Sequence, residues 1–126
     1  MTAYRFLDAA FLLFHSALIV FVAFGWVWKR TRRIHLATVG VVGLSWFGLG
    51  LIYGLGFCPC TEWHWRVRER LGDTLLPNSY IKFLLDTLTG LDWNAAVVDG
   101  STFCVFLIAT LLSVLLNRRD MRERIR

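Results

Sequence analysis

The stretch that decides the fold, residues 36–57, reads LATVGVVGLSWFGLGLIYGLGF and contains no charged residue. As a helix rising ~1.5 Å per residue, an apolar run of this length crosses a hydrocarbon core of ~30 Å. Residues 6–28 and 95–116 form two further runs of spanning length that carry few charges. Together with 56% hydrophobic composition, these runs predict an all-α integral membrane protein, a single domain with three transmembrane helices.

The basic residues predict how the chain is oriented, because Lys and Arg close to spanning helices stay on the cytoplasmic side. This rule puts the N-terminus and residues 58–93 outside and the tail at 117–126 inside. The membrane is expected to be a bacterial cytoplasmic (inner) membrane. A fourth span at residues 78–91 would put the basic clusters on opposite faces, so we reject it. Nine of the 14 basic residues form the two clusters: Lys29, Arg30, Arg32, Arg33, Arg118, Arg119, Arg122, Arg124 and Arg126.

The same placement argues against nucleic-acid binding, since such a site needs a basic patch with stacking aromatic side chains beside it. The tryptophans instead lie where amphipathic rings anchor a protein at a membrane interface. Of these, Trp65 lies off the predicted apolar stripe of its helix and is expected to be free for a partner. The predicted anchors are Trp26 and Trp28 at the inner interface and Trp63, Trp65 and Trp93 at the outer one.

Glycines recur along the second span at spacings typical of a helix-packing face. Lipid tails give helices no hydrophobic incentive to associate, so small residues that let backbones approach closely indicate tight packing. The sequence leaves open whether the neighbour is the first span, the third span or another protein. The predicted packing residues are Gly40, Gly43, Gly50 and Gly54.

Residues 58–93 are predicted to form two short amphipathic helices that lie in the outer interface. Thr61 can cap the first of these helices, beginning at Glu62, and Gly72 can end it. The second, within residues 78–91, has apolar residues at helical spacing but is too short to span.

The stretch around Cys58 is the most chemically dense part of the chain. Cys58, Cys60 and His64 offer two thiolates and an imidazole, donors that suit zinc or copper(I) with an open fourth position or a fourth ligand from His15 or a partner. The two cysteines equally suit a structural or redox role, as a disulfide or in a bond to a partner. Cys104, deep in the third span, is interpreted as a small buried hydrophobic residue.

The three histidines suggest a second cofactor hypothesis, a haem held by two of them. Only His64 folded inward could pair with His15, which lies halfway along the first span. The simpler interpretation of His15 is a neutral imidazole hydrogen-bonded to a neighbouring helix. His35 is interpreted as a solvated residue at the inner interface, and Asp8 as an interfacial charge.

Several short motifs lie along the chain: Phe14-His15 in the first span, His35 at the beginning of the second, and Cys58-Pro59-x-Thr61 followed by Gly72. Together they resemble the domain of unknown function 2784 family, small bacterial multi-pass membrane proteins. The resemblance covers roughly residues 4–115 and implies fold and location, since that family has no established activity. The chain departs from the family at Cys60, where leucine is usual, and at His64, where an acid is common.

No nucleophile triad, phosphate loop or pair of carboxylates stands out, which favours a non-catalytic protein without a cofactor. We expect an accessory or structural subunit of a larger membrane complex, in contact with the bilayer and other membrane subunits, that presents an external Cys/Trp/Arg-rich cap. One alternative is a metal- or haem-binding membrane redox protein, and another is a carrier of small molecules or lipids.

Overall fold

The computed structural model describes residues 2–126, and these residues form helices joined by short turns, with no β-strand among them. The π-helical turn continues α2 into α3 without a break, so the three make one helical segment. In chain order the elements are α1 (Thr2–Phe24), α2 (Arg32–Gly43), a π-helical turn (Leu44–Leu49), α3 (Gly50–Tyr53), α4 (Pro59–Arg70), α5 (Tyr80–Thr89) and α6 (Ala95–Ile125).

Three helical segments are long and apolar enough to cross a membrane, as predicted: α1, the continuous segment Arg32–Tyr53, and α6. α6 does not end where the apolar run ends, and continues to Ile125. Its last part is rich in Arg, which favours helix, and Arg119 and Glu123 lie one turn apart with a 3.8 Å ion pair. The predicted tail is therefore mostly helical.

The chain forms two compact units. The first unit contains residues 2–16 and 58–103, and so holds the beginning of α1, all of α4 and α5, and the beginning of α6. The second unit contains residues 17–57 and 104–126, and so holds the end of α1, the Arg32–Tyr53 segment and the rest of α6.

The two short helices of the first unit begin and end at recognisable residues. α4 begins at Pro59, three residues before the predicted Glu62, because proline has the φ of a first helical residue and needs no donor there. Cys58 is therefore its N-cap, and the prediction that Thr61 caps it is wrong. α5 begins after Ser79, whose Oγ accepts from the Lys82 backbone N–H, and ends at the left-handed Gly90.

The glycines of the second span differ in what surrounds them. A Cβ built on Gly43 would lie 3.6 Å from Cζ of Phe106 on α6, and one on Gly50 would lie 3.1 Å from Cα of Leu55. A Cβ built on Gly40 or Gly54 would meet no atom within 4 Å. Of the four predicted packing glycines, only Gly43 lies against the third span within residues 2–126. Gly50 packs against the loop that follows its own helix.

Candidate functional site

A buried histidine on α4 forms the centre of a polar cluster in the first unit. His64 is 0% exposed, and its Nε2 lies 2.6 Å from Oδ1 of Asp8 on α1. Arg68, one helical turn further along α4, donates from Nη1 to the same oxygen at 3.1 Å. The Asp8 carboxylate therefore fixes one face of α4 against α1, and is not the simple interfacial charge that the sequence suggested.

Arg68 extends this cluster to two more parts of the first unit. Its Nη2 lies 2.6 Å from Oδ2 of Asp73, and its guanidinium lies 4.7 Å from the ring centroid of Phe83 on α5. A planar guanidinium can bind two carboxylates and stack on a ring at once, which an ammonium group does less well. The contacts of Arg68 thus hold α4, the following loop and α5 together.

A second histidine joins the cluster through Tyr80, the first residue of α5. His15 on α1 is buried and stacks on Tyr80 with ring centroids 4.0 Å apart, while the His64 ring lies 5.7 Å from the same tyrosine. The Tyr80 hydroxyl lies 3.1 Å from Oγ of Ser16 and donates to the carbonyl of Leu12. Burial raises the pKa of Tyr80, so the phenol stays neutral.

The imidazoles of this cluster keep unused hydrogen-bonding capacity. The Nδ1 atoms of His15 and His64 are both buried and have no hydrogen-bond partner in the described part of the chain. No neighbouring helix supplies the hydrogen bond predicted for His15, which stacks on Tyr80 instead. The cluster therefore presents two nitrogen atoms that are available as ligands, one of them on a ring oriented by Asp8.

The two thiols at the beginning of α4 are free and partly buried. Burial, together with the neighbouring Cys58, raises the pKa of Cys60 to about 11, so this thiol is protonated at neutral pH and is a weak nucleophile. Across residues 2–126, no three or more His, Cys, Asp or Glu side chains group in a way that could hold a metal ion. Metal binding by Cys58, Cys60 and His64 stays a prediction without support from this geometry.

Cys104 is exposed on α6, so the expectation that it is a buried hydrophobic residue is wrong. Spacing within one apolar span gives no information on which side of the helix faces the others.

Trp65 is held inside the first unit, and the expectation that it is free for a partner is wrong. Its indole N–H donates to the Pro77 carbonyl at 2.7 Å, and its ring packs against Phe83 with centroids 5.0 Å apart. The helix face is set by His64 and Arg68, which must reach Asp8, and this leaves Trp63 57% exposed. Interface anchoring stays a prediction for all five tryptophans: Trp26, Trp28, Trp63, Trp65 and Trp93.

His35 belongs to the second unit and is also 0% exposed, so its interpretation as a solvated residue is wrong. Its Nε2 donates to the Val22 carbonyl at 2.8 Å, and its Nδ1 accepts from the Ser113 hydroxyl at 2.9 Å. Asn117, one turn beyond Ser113, donates to the carbonyl of Arg32. Both ring nitrogens are satisfied, so His35 joins α2 to α1 and α6 and has no atom left for a ligand.

Two sequence signals could have found the residues that the motifs missed. Asp8 lies in an otherwise apolar run, where an acid is costly and usually paired. Ser113 and Asn117 lie one turn apart near the end of the third span, a spacing at which polar side chains of one helix face the same neighbour. Each signal names a polar residue that needs a partner, without saying which one.

The family model described as "Protein of Unknown function (DUF2784)" matches residues 5–118. This match confirms the resemblance carried by the Cys-Pro and histidine motifs. No curated protein and no solved structure matches the chain. The comparisons therefore assign a family and no activity.

Proposed function

The chain belongs to the family of proteins of unknown function DUF2784, and from that premise we propose that it is a non-catalytic subunit of a larger membrane assembly. The observation that carries the proposal is the arrangement of the first unit, in which His64 is fully buried against Asp8 while several large apolar side chains are exposed. The membrane in question is proposed to be the bacterial cytoplasmic membrane.

Several large apolar side chains of residues 58–93 are exposed, where a surface in contact with water would normally have polar ones. Leu75 is 95% exposed, Leu88 79%, Leu91 61% and Trp63 57%, whereas His64 is fully buried. Exposed apolar side chains at this level are expected where a protein meets a membrane or another protein. The two short helices are accordingly proposed to lie at the outer interface and to form the surface that a partner subunit meets.

The glycines of the second span favour a protein partner over lipid alone. Gly40 and Gly48 are exposed, and a Cβ on either would meet no atom within 4 Å. Glycine in a helix costs ~1 kcal/mol relative to alanine, and lipid contact gives nothing in return. Close approach of a second helix does offset that cost, so this face is proposed to receive a helix from another subunit.

The charges of the second unit support the proposed orientation. Arg32 bonds both carboxylate oxygens of Asp120, at 3.2 and 3.0 Å, which brings the turn between the first two spans to the basic end of α6. Two basic clusters at one end of a unit agree with a common cytoplasmic location. The N-terminus is accordingly proposed to be outside and the C-terminus cytoplasmic.

The subunit proposal is tested in mild detergent extracts of native membranes. In the variant Gly40→Leu, Gly48→Leu the new side chains enter space that is open within the chain itself, so the variant is expected to fold. It is expected to dissociate from the high-mass complex of the wild type and to run as a monomer. The exposed apolar change Val41→Leu is the matched control and is expected to remain in the complex. A wild-type chain that runs as a free monomer without co-purifying chains would end the proposal.

Topology has a separate test with one exposed thiol in a chain whose native cysteines are replaced by serine. Glu69→Cys is expected to react with a membrane-impermeant maleimide in intact spheroplasts, and Arg122→Cys only after lysis. The opposite pattern would invert the proposed orientation.

One observation favours a second candidate, a haem- or metal-binding redox protein. Folding brings His15 and His64 to the same tyrosine, and within residues 2–126 each has a buried Nδ1 without a partner; imidazole is the class of ligand that haem iron and other transition metals accept. An absorption spectrum and metal analysis of the purified protein test this candidate. The absence of a Soret band and of stoichiometric iron, copper or zinc would exclude it. A carrier role for small molecules or lipids stays a prediction.

A further inference from the structure

Basic side chains surround a small cavity at one end of the second unit. The cavity has a volume of about 100 Å³ and lies between the turn that joins α1 to α2 and the last part of α6. Four of its lining residues are cationic, one is acidic and one is an amide: Lys29, Arg30, Arg33, Arg124, Asp120 and Asn117.

A separate set of hydrogen bonds fixes the walls of this cavity. Arg32, which does not line it, donates from Nε to the Trp26 carbonyl at 2.9 Å and from Nη1 to Asp120. The Thr31 hydroxyl donates to the Gly25 carbonyl, and the Asn117 amide donates to the Arg32 carbonyl. These bonds hold the turn to α6 without Arg30, Arg33 or Arg124, and Lys29 adds only a long, exposed ion pair to Glu123.

The charge of the cavity is not neutralised by the protein. The Asp120 carboxylate is already bound by Arg32, with both side chains 12% exposed. Within residues 2–126, Arg30, Arg33 and Arg124 form no ion pair, and Lys29 reaches only the exposed Glu123 at 3.7 Å, a contact of little value. Like charges held around one concave site create a potential that attracts anions.

We propose that this cavity binds a phosphate group, carried by the headgroup of an anionic phospholipid or by a soluble phosphate ester. Arginine forks match phosphate oxygens two at a time, and three of the four cations that line the cavity are arginines. The lipid source is favoured because α1 ends at Phe24 and α2 begins at Arg32, so the cavity lies where two spans leave the apolar layer. Basic pockets between spanning helices on the cytoplasmic side bind such headgroups.

The test titrates the full-length protein, in neutral detergent, with dioctanoyl phosphatidylglycerol, dioctanoyl phosphatidylcholine and inorganic phosphate. Native mass spectrometry measures the affinity and the stoichiometry. One phosphatidylglycerol is expected to bind far more tightly than phosphatidylcholine. Competition by inorganic phosphate at millimolar concentration identifies a soluble phosphate as the source, and the lack of competition identifies the lipid headgroup.

Charge-matched variants separate the cavity from general attraction to a cationic protein. The variant with Arg30→Gln, Arg33→Gln and Arg124→Gln is expected to bind phosphatidylglycerol about a hundredfold more weakly. The control with Arg118→Gln, Arg122→Gln and Arg126→Gln removes the same charge outside the cavity and is expected to change affinity less than threefold.

Two results would overturn the proposal: equal binding of the two lipids, or equal loss of affinity in the cavity variant and the control. Circular dichroism and elution volume check that each variant is folded. If the triple variant does not fold, Arg124→Gln alone serves, because it changes only the last turn of α6. It is expected to weaken binding about fivefold, and an unchanged affinity would overturn the proposal.

Discussion

His64 in the first unit and His35 in the second are equally buried, yet they are bonded in different ways. His35 uses both ring nitrogens on groups of neighbouring helices, the Val22 carbonyl and the Ser113 hydroxyl. His64 uses one nitrogen on a carboxylate, and the other has no partner within residues 2–126. The first pattern is that of a structural cross-link, and the second is that of a ring that is oriented while one nitrogen stays available.

The difference teaches that burial alone does not identify a functional histidine. A buried polar atom without a partner is costly, so it is uncommon in native proteins unless something else compensates for it. The first unit contains two such imidazole nitrogens and the second contains none on His35. The variants below measure whether the two regions differ in stability as their hydrogen bonds indicate.

The largest effect is expected for Asp8→Ala in the first unit. Removing the carboxylate leaves the His64 Nε2–H buried without an acceptor and deprives Arg68 of one of its two acids, at a cost of about 3 kcal/mol in the free energy of unfolding. Steric trapping in detergent micelles measures this free energy. Asp99→Ala removes an exposed acid from α6 and is the control, expected to change stability little. If Asp8→Ala lost no more free energy of unfolding than Asp99→Ala, the cluster would not hold α4 to α1.

The next largest change in stability is expected from replacing His35, and a much smaller one from replacing His15. His35→Phe removes the donor to the Val22 carbonyl and the acceptor of the Ser113 hydroxyl, and is expected to cost about 2 kcal/mol. His15→Phe keeps a ring to stack on Tyr80 and removes an unsatisfied nitrogen, so its cost is expected to stay below about 0.5 kcal/mol. The same unfolding assay compares them. If both variants lost the same free energy of unfolding, the distinction between a histidine that cross-links helices and one with an unsatisfied nitrogen would be wrong.

A smaller effect is expected at Gly25, next to His35. A Cβ there would lie 2.6 Å from the Phe21 carbonyl oxygen and 2.8 Å from Cδ2 of His35, so Gly25→Ala must displace the backbone or the ring. We expect a cost of about 1.5 kcal/mol, within the range for overpacking. Gly40→Ala, in open space, is the control and is expected to be neutral or slightly stabilising. Thermal unfolding of both variants tests how tightly the region around His35 is packed.

The smallest effect concerns Cys60, on the same helix as His64. With the pKa at about 11 rather than 9.0, alkylation by iodoacetamide at pH 8 is expected to be slow, with a rate that rises until about pH 11. The folded chain binds this proton more tightly than the unfolded chain, so stability is expected to fall as the pH rises from 9 to 11.

This measurement uses a chain in which Cys60 is the only cysteine and compares it with the same chain unfolded in denaturant. For the unfolded chain, the curve of alkylation rate against pH is expected to inflect near pH 9.0. An inflection at that pH in the folded protein would show that the beginning of α4 is open to water. The first unit would then be less closed around its cluster than the second unit is around His35.

The apolar runs were sufficient to predict three spanning helices, because the length of an uncharged segment and the thickness of a bilayer are both local quantities. The ends of α4 needed more than local signals. Pro59 and Thr61 both favour a helix start, and the structure uses Pro59 with Cys58 as N-cap. The family motifs likewise were readable from the sequence and are confirmed by the match over residues 5–118.

The sequence by itself therefore determined the helical class, the three spans and the family. Only the tertiary structure decided that His64 binds Asp8, that His35 is enclosed by Val22 and Ser113, and that Trp65 faces inward. The physical reason is that a polar side chain in an apolar helix needs a partner, and that partner lies on another helix whose facing side the sequence does not specify.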